Sequence, residues 1–250
     1  MKENNTWVYK IARPVLGPVY KFWYKPTIIG AENIPTYGPI LLVGNHIHIM
    51  DQCNVIVSTK RLIHYMAKKE YFDPQYKEGK FGWFFRSAGC IPVDRKIHDD
   101  AAKEAALDVL NNKLALGLFP EGTRNGIKEE RANEINDKYF NENKEEFKEN
   151  IFRVDDYLKE LIKSKKIKES DYYENYLLPF KFGAVSMAQK TDAYLVPYAI
   201  TGEYKFKGDN LVVRIGKPFK VEKDDDLEKA NKKLRKVVLD LIKENKNNEK

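Results

Sequence analysis

Residues 39–51 read Pro39-Ile40-Leu41-Leu42-Val43-Gly44-Asn45-His46-Ile47-His48-Ile49-Met50-Asp51. Four aliphatic residues closed by a glycine suit a short strand covered on both faces. The polar and titratable residues that follow then stand at its carboxyl end, where open α/β sheets bind ligands. A histidine there can take a proton from an attacking hydroxyl, and a carboxylate on its other ring nitrogen fixes the tautomer and stabilises the imidazolium. Two histidines compete for Asp51. In a regular helix His46 and Asp51, five residues apart, are separated by roughly 500°, which leaves them about 140° apart around the axis, whereas residues at i and i+3 face each other. A helix through this stretch therefore pairs His48 with Asp51. Pairing of His46 requires a loop, with the helix beginning only near Asp51. The spacing alone leaves both pairs open, along with a histidine that is merely structural.

Outward from this stretch, short apolar runs recur at 39–44, 62–67, 89–93, 114–119, 194–200 and 210–216, and amphipathic stretches lie at 49–59, 98–112, 183–190 and 225–244. The alternation predicts an α/β fold, with a mostly parallel central sheet flanked by helices. Two segments stand apart. Residues 6–24 put Lys10, Arg13, Gly17 and Lys21 on one helical stripe and Trp7, Ile11, Val15, Phe22 and Trp23 on the rest. That pattern suits a helix lying in a bilayer interface, the alternative being one packed on the protein's own core. Pro14 and Pro18 argue against a straight helix, because each removes a backbone donor. Residues 125–178 are highly charged, yet Phe147, Ile151, Val154, Leu158 and Leu161 repeat at helical spacing, which predicts a helical insertion. The expected organisation is a membrane-interface helical element over 1–26 and an α/β domain over 27–250 carrying the insertion.

Lys and Arg outnumber Asp and Glu by 44 to 37. The 125–178 segment holds 11 of the basic and 14 of the acidic side chains, which leaves 33 against 23 elsewhere. Such a remainder favours anionic partners, phosphates and acidic headgroups among them. Two cysteines, Cys53 and Cys90, are too few for a disulfide framework and lack CxxC spacing, so neither a zinc site nor a redox pair is expected. No run approaches the roughly 18 apolar residues of a spanning helix, and no signal peptide is visible. These features predict a cytoplasmic protein held peripherally on the inner face of the cell membrane. The absence of a GxSxG elbow argues against a serine hydrolase.

Two further stretches close apolar runs. Phe119-Pro120-Glu121-Gly122-Thr123-Arg124 offers a glycine for close approach, hydroxyl and backbone donors, and a guanidinium suited to phosphate oxygens. Its plain alternative is a strand-to-loop turn with a solvated arginine. Gly89-Cys90-Ile91-Pro92-Val93-Asp94-Arg95 supplies another strand end with an arginine, where Asp94 and Arg95 could also form a weak surface ion pair.

Taken in order, these blocks resemble the glycerolipid acyltransferase family, specifically bacterial 1-acyl-glycerol-3-phosphate acyltransferases. Asn45-His46 through Asp51 is similar to the family's NHxxxxD block, Gly89 to Arg95 to GxIxVDR, Phe119 to Arg124 to FPEGTR, and Val196-Pro197-Tyr198-Ala199 to VPxA. Lys68, Gly82-Trp83 and the Lys181-Phe182-Gly183-Ala184 segment match as well. The resemblance implies that His46 and Asp51 are the catalytic dyad. It assigns Glu121, Gly122, Thr123 and Arg124 to the acceptor's glycerol phosphate, with Lys68 and Arg95 as further phosphate contacts, and gives His48 and Cys53 no role. The implied activity is transfer of a fatty acyl group from acyl-CoA or acyl-carrier protein to the sn-2 hydroxyl of 1-acyl-glycerol-3-phosphate at a membrane surface, giving phosphatidic acid, without metal or cofactor. Glycerol 3-phosphate or another lysophospholipid is the alternative acceptor, and a non-catalytic anionic-lipid binder the alternative of another class. No nucleic-acid motif is visible, so nucleic acid is not an expected partner. One departure from the family is the 56 residues between Arg124 and Lys181, where a short connector is the family's habit. A lid, a carrier-protein dock, a dimer contact and a plain surface elaboration are the alternatives for it.

Overall fold

The computed structural model describes residues 6–94, 97, 99–122, 124 and 177–247. Arg95 and Thr123 lie outside the described residues, as does the 125–178 insertion apart from Leu177 and Leu178. The elements are α1 (Trp7–Tyr24), β1 (Thr27–Ile29), β2 (Ile40–Gly44), α2 (Asp51–Ser58), β3 (Ile63–Lys68), α3 (Gly82–Ser87) and β4 (Ile91–Val93). They continue with α4 (Asp100–Asn111), β5 (Ala115–Leu118), α5 (Gly183–Thr191), β6 (Tyr194–Thr201), β7 (Val212–Ile215) and α6 (Leu227–Asn247).

The seven strands form one sheet in the order β1-β7-β6-β2-β5-β3-β4. From β6 to β4 neighbouring strands are all parallel, while β7 runs antiparallel to β6 and β1 parallels β7. The expected mostly parallel sheet is what the described residues form. The β6–β7 pair is antiparallel because a ten-residue connection, 202–211, lets the chain turn straight back instead of crossing over. Strand β1, three residues against β7, carries no apolar run long enough to announce itself.

Alternation along β2 divides the core. Leu41 and Val43 face one cluster with Leu110 of α4, Ala184 of α5 and Leu234 and Val238 of α6. Ile40 and Leu42 face the other, with Val55 of α2 and Tyr198 of β6. Helix α6 buries Ala230, Leu234, Val238, Leu241 and Ile242, a spacing of three to four that presents a single face. Asp99 caps α4, its Oδ1 accepting from the Ala102 N–H over 3.0 Å, and its Oδ2 accepts from the Asp94 N–H over 2.8 Å.

Helix α1 forms despite its two prolines. The carbonyls that lose a partner belong to Lys10 and Pro14, which are both exposed, so the missing bonds fall on the outer side of the helix. The inner face is fastened to the domain. Tyr9 donates to Arg61 O over 3.1 Å, Arg13 Nε to Ile56 O over 3.1 Å, and Tyr20 to Asn54 Oδ1 over 2.8 Å. Arg13 is thus turned inward, not toward lipid phosphates. The inner face is packed on the protein's own core, while Trp7, Ile11, Val15, Leu16, Val19, Phe22 and Trp23 remain exposed. Phe206 packs on Trp23 at 4.6 Å between ring centroids, and the Lys207 ammonium sits 5.2 Å from the Phe22 ring. No helix among the described residues is long and apolar enough to cross a membrane.

Candidate active site

Strand β2 ends at Gly44, and helix α2 starts only at Asp51, leaving 45–50 outside regular helix. This is the loop-to-helix transition that a His46 pair requires. His46 Nδ1 lies 2.7 Å from Asp51 Oδ2, with the His46 side chain 13% exposed and Asp51 fully buried. The same Oδ2 accepts from the backbone N–H groups of Ile47 (2.6 Å) and His48 (2.8 Å), while Oδ1 accepts from the Tyr204 hydroxyl at 2.6 Å. Donors on both oxygens compensate the burial of the carboxylate and fix its plane. The ring of His46 stacks on Phe119 at 4.0 Å and 13°. His48 is not the partner: its ring stacks on Tyr204 at 4.1 Å and its Nδ1 accepts from the Met50 N–H at 3.3 Å. Burial, joined by the nearby Arg124 and His46 charges and opposed by Asp51, holds the His48 imidazole below its ordinary value.

Asn45 fixes the loop to β6, exchanging two 2.8 Å hydrogen bonds with the backbone of Ile200. Just before it, a side chain at Gly44 would meet the Tyr198 ring at 2.3 Å, so only glycine lets β2 pass this residue. Glu121 departs from the role the resemblance gives it. Its carboxylate is fully buried, Oε1 accepting from the His46 N–H and Oε2 from the Leu178 N–H, both at 2.8 Å. Such a carboxylate is a strut that sets the height of His46, not a surface for an acceptor. Gly122 has φ +75°, and a side chain there would strike Lys181 Nζ at 2.6 Å. The close approach that this glycine permits is therefore that of Lys181, whose N–H also donates to Pro120 O at 2.9 Å.

Because β2 to β6 are parallel through the centre, their carboxyl ends share one edge of the sheet. His46 follows β2, Lys68 ends β3 beside Val93 of β4, and Arg124 follows β5. Lys68 and Arg124 are exposed. Asp94 lies 3.6 Å from Lys69, an ion pair at a largely exposed position that contributes little. The edge thus gathers a partly buried, carboxylate-paired imidazole and exposed cations, a set able to deprotonate a hydroxyl on an anionic molecule. Among the described residues no cluster of three or more His, Cys, Asp or Glu could hold a metal ion.

Comparison with known proteins matches the family model described as Acyltransferase to residues 25–201. The chain belongs to the acyltransferase family. Among relatives of this acyltransferase-family chain is the 1-acyl-sn-glycerol-3-phosphate acyltransferase of Bacillus subtilis (strain 168), 26% identical over 118 residues, 47% of this chain and 57% of that protein. Another is the 1-acyl-sn-glycerol-3-phosphate acyltransferase of Borreliella burgdorferi, 32% identical over 103 residues, 40% of each chain. The chain spans about half the length of the curated relatives it matches. The crystal structure of the 1-acyl-sn-glycerophosphate (LPA) acyltransferase PlsC from Thermotoga maritima superposes with a TM-score of 0.61 at 20% identity, over 95% of this chain and 82% of that one, a likeness of fold. Asn45, Phe119 and Tyr204 also surround the His46–Asp51 pair of this acyltransferase-family chain, though none was a candidate from the sequence. Asn45 and Phe119 stand inside quoted motifs and were legible there; Tyr204, on a connection with no motif, was not.

Proposed function

We propose that this chain transfers a fatty acyl group from a thioester, acyl-CoA or acyl-carrier protein, to the sn-2 hydroxyl of 1-acyl-glycerol 3-phosphate, giving phosphatidic acid at a membrane surface. The observation that carries the reading is the 2.7 Å His46–Asp51 pair at the carboxyl edge of the parallel strands, in a chain of the acyltransferase family. With Nδ1 committed to Asp51, Nε2 is the nitrogen that takes the hydroxyl proton. The oxygen attacks the thioester carbonyl, forming the new C–O bond, and the tetrahedral oxyanion collapses by re-forming the carbonyl and breaking the C–S bond. The imidazolium returns its proton to the departing thiolate, so the acyl group never resides on the enzyme. Asp51 stabilises the imidazolium throughout. Arg124, Lys68, Arg95 and Thr123 are the groups assigned to the acceptor phosphate, while Glu121 supports the His46 loop and Gly122 makes room for Lys181.

A transfer assay with lysophosphatidic acid, glycerol 3-phosphate and lysophosphatidylcholine, each with both thioester donors, tests the assignment. Lysophosphatidic acid is expected to be the preferred acceptor, and Arg124→Ala to raise its KM about 10-fold with kcat little changed, since a guanidinium–phosphate contact made in ground and transition state alike acts on binding. Preference for glycerol 3-phosphate would move the acceptor to the smaller molecule. Transfer to none of the three would end the acyltransfer reading.

The outward face of α1 is assigned to the bilayer, because it combines tryptophan, phenylalanine and aliphatic side chains with neighbouring Lys21 and Lys207. Deleting the helix is a poor test, since its inner face carries Tyr9 and Tyr20 of the core. Ile11→Ser with Val15→Ser keeps that face. Each change removes on the order of 1 kcal/mol of apolar transfer, so binding to anionic vesicles in a flotation assay is expected to weaken roughly 30-fold. Unchanged flotation would remove α1 from the membrane contact.

A further inference from the structure

Tyr204 reaches the dyad from the β6–β7 connection, outside every block of sequence that suggested the site. Its hydroxyl donates to Asp51 Oδ1 over 2.6 Å, on the oxygen opposite to the one that holds His46. The Tyr204 oxygen accepts from Asn54 Nδ2 at 2.6 Å, and Asn54 Oδ1 accepts from the Tyr20 hydroxyl at 2.8 Å. Every bond in this series donates in the same direction, from Tyr20 on α1 through Asn54 and Tyr204 to the carboxylate, an arrangement in which each bond polarises the next. Burial, ahead of the neighbouring Asp51 charge, pushes the Tyr204 phenol far above its ordinary range, so it remains a donor. The ring itself is clamped, stacked on His48 at 4.1 Å and edge-on to Tyr24 at 5.5 Å. The same connection closes the end of α1: the Lys207 N–H donates to Trp23 O over 2.6 Å, and Phe206 rests on Trp23.

We infer that Tyr204 is a positioning residue for the His46–Asp51 dyad, and that Asn54 and Tyr20 link it to α1, so that seating of this outward-facing helix sets the orientation of Asp51. The inference rests on the acyl-transfer reading of the dyad. Tyr204 touches no reacting atom in this scheme; it acts through Asp51. Removing its hydroxyl leaves Oδ1 of a fully buried carboxylate short of a donor and loosens its plane. A loosened carboxylate no longer holds the His46 ring in one orientation, which lowers turnover without touching acceptor binding.

The test is steady-state kinetics on vesicles containing lysophosphatidic acid, with the thioester donor that serves the wild type, for Tyr204→Phe, Tyr20→Phe, the double variant and His46→Ala. Tyr204→Phe keeps the stacked ring and deletes only the donor. Its kcat is expected to fall about 10–100-fold, as for loss of a hydrogen bond to a charged group, with acceptor KM unchanged. Tyr20→Phe is expected to produce a few-fold loss, and the double variant no more than Tyr204→Phe alone, as for residues acting in one series. Wild-type kcat in Tyr204→Phe would overturn the inference, even if its melting temperature fell. A double variant showing the full sum of both losses would sever α1 from the series. Should Tyr204→Phe not accumulate as folded protein, Tyr20→Phe decides, with lowered kcat at unchanged KM in support and wild-type values against. If His46→Ala retained turnover, the dyad reading itself would fail; loss there with none in Tyr204→Phe removes the positioning role alone.

Discussion

Replacing His46 with Ala is expected to lower acyl-transfer turnover by at least about 10²–10⁴-fold, the range that general-base assistance supplies. Folding is expected to survive. Asp51 keeps three donors, the N–H groups of Ile47 and His48 and the Tyr204 hydroxyl, and the loop keeps its Asn45 bonds to β6. The measurement is kcat under saturating acceptor, beside a thermal melt within a few degrees of wild type. Asp51→Asn is expected to be nearly as damaging, because an amide NH₂ turned toward Ile47 and His48 meets two N–H donors where the carboxylate oxygen accepted from them, and the imidazolium loses its counter-charge. His48→Ala, which removes the stack on Tyr204, is expected to lower turnover far less than His46→Ala. Abolished transfer in His48→Ala with intact transfer in His46→Ala would reverse the assignment.

Glu121→Ala carries the second large effect, and it falls on stability as well as rate. The substitution strips the acceptor from two backbone N–H groups, those of His46 and Leu178, at positions that are partly and fully buried. An orphaned buried donor costs about 1–3 kcal/mol, so the pair amounts to roughly 2–6 kcal/mol. For a domain of this size that is a fall in melting temperature of about 5–20 °C. Turnover of the fraction that remains folded should also drop, because the His46 loop loses its support. A side chain that merely touched the acceptor would behave differently, with KM raised and the melting temperature unmoved. Calorimetry and kinetics on the same preparation separate the two.

The strands nearest the site were the most legible part of the sequence. Runs such as Ile40–Gly44 are covered on both faces, so burial leaves an unbroken apolar record. Order and direction left no such record. Whether β7 returns beside β6 depends on the turn taken by 202–211, and β1 is a three-residue edge strand whose hydrogen bonds are backbone only. Helix α1 was readable in its two faces but not in its continuity, because proline rules describe the lost donor and not which side of the helix loses it. In the site, periodicity alone set His46 and His48 as rivals. What separated them is where a helix begins, a property of the Asp51 side chain receiving the N–H groups before it. Glu121 was misassigned for a related reason: a carboxylate beside cations looks like a ligand contact, and only its burial identifies it as a brace. Tyr204 stands 153 residues from Asp51, on a connection with nothing in its pattern to single it out.

The two bonds of Glu121 also bear on how this chain tolerates change. One arm holds the chain where it leaves β2 and the other holds it at Leu178, where it re-enters the core, with Arg235 fastening Leu177 O over 2.6 Å. The ends on either side of this stretch are thus held by one carboxylate and one guanidinium. The cost of closing a chain between fixed ends grows only with the logarithm of its length, about 0.6 kcal/mol per doubling for a flexible one. A change in the number of residues between Arg124 and Leu177 is therefore expected to cost little stability as long as Glu121 and Arg235 keep their bonds.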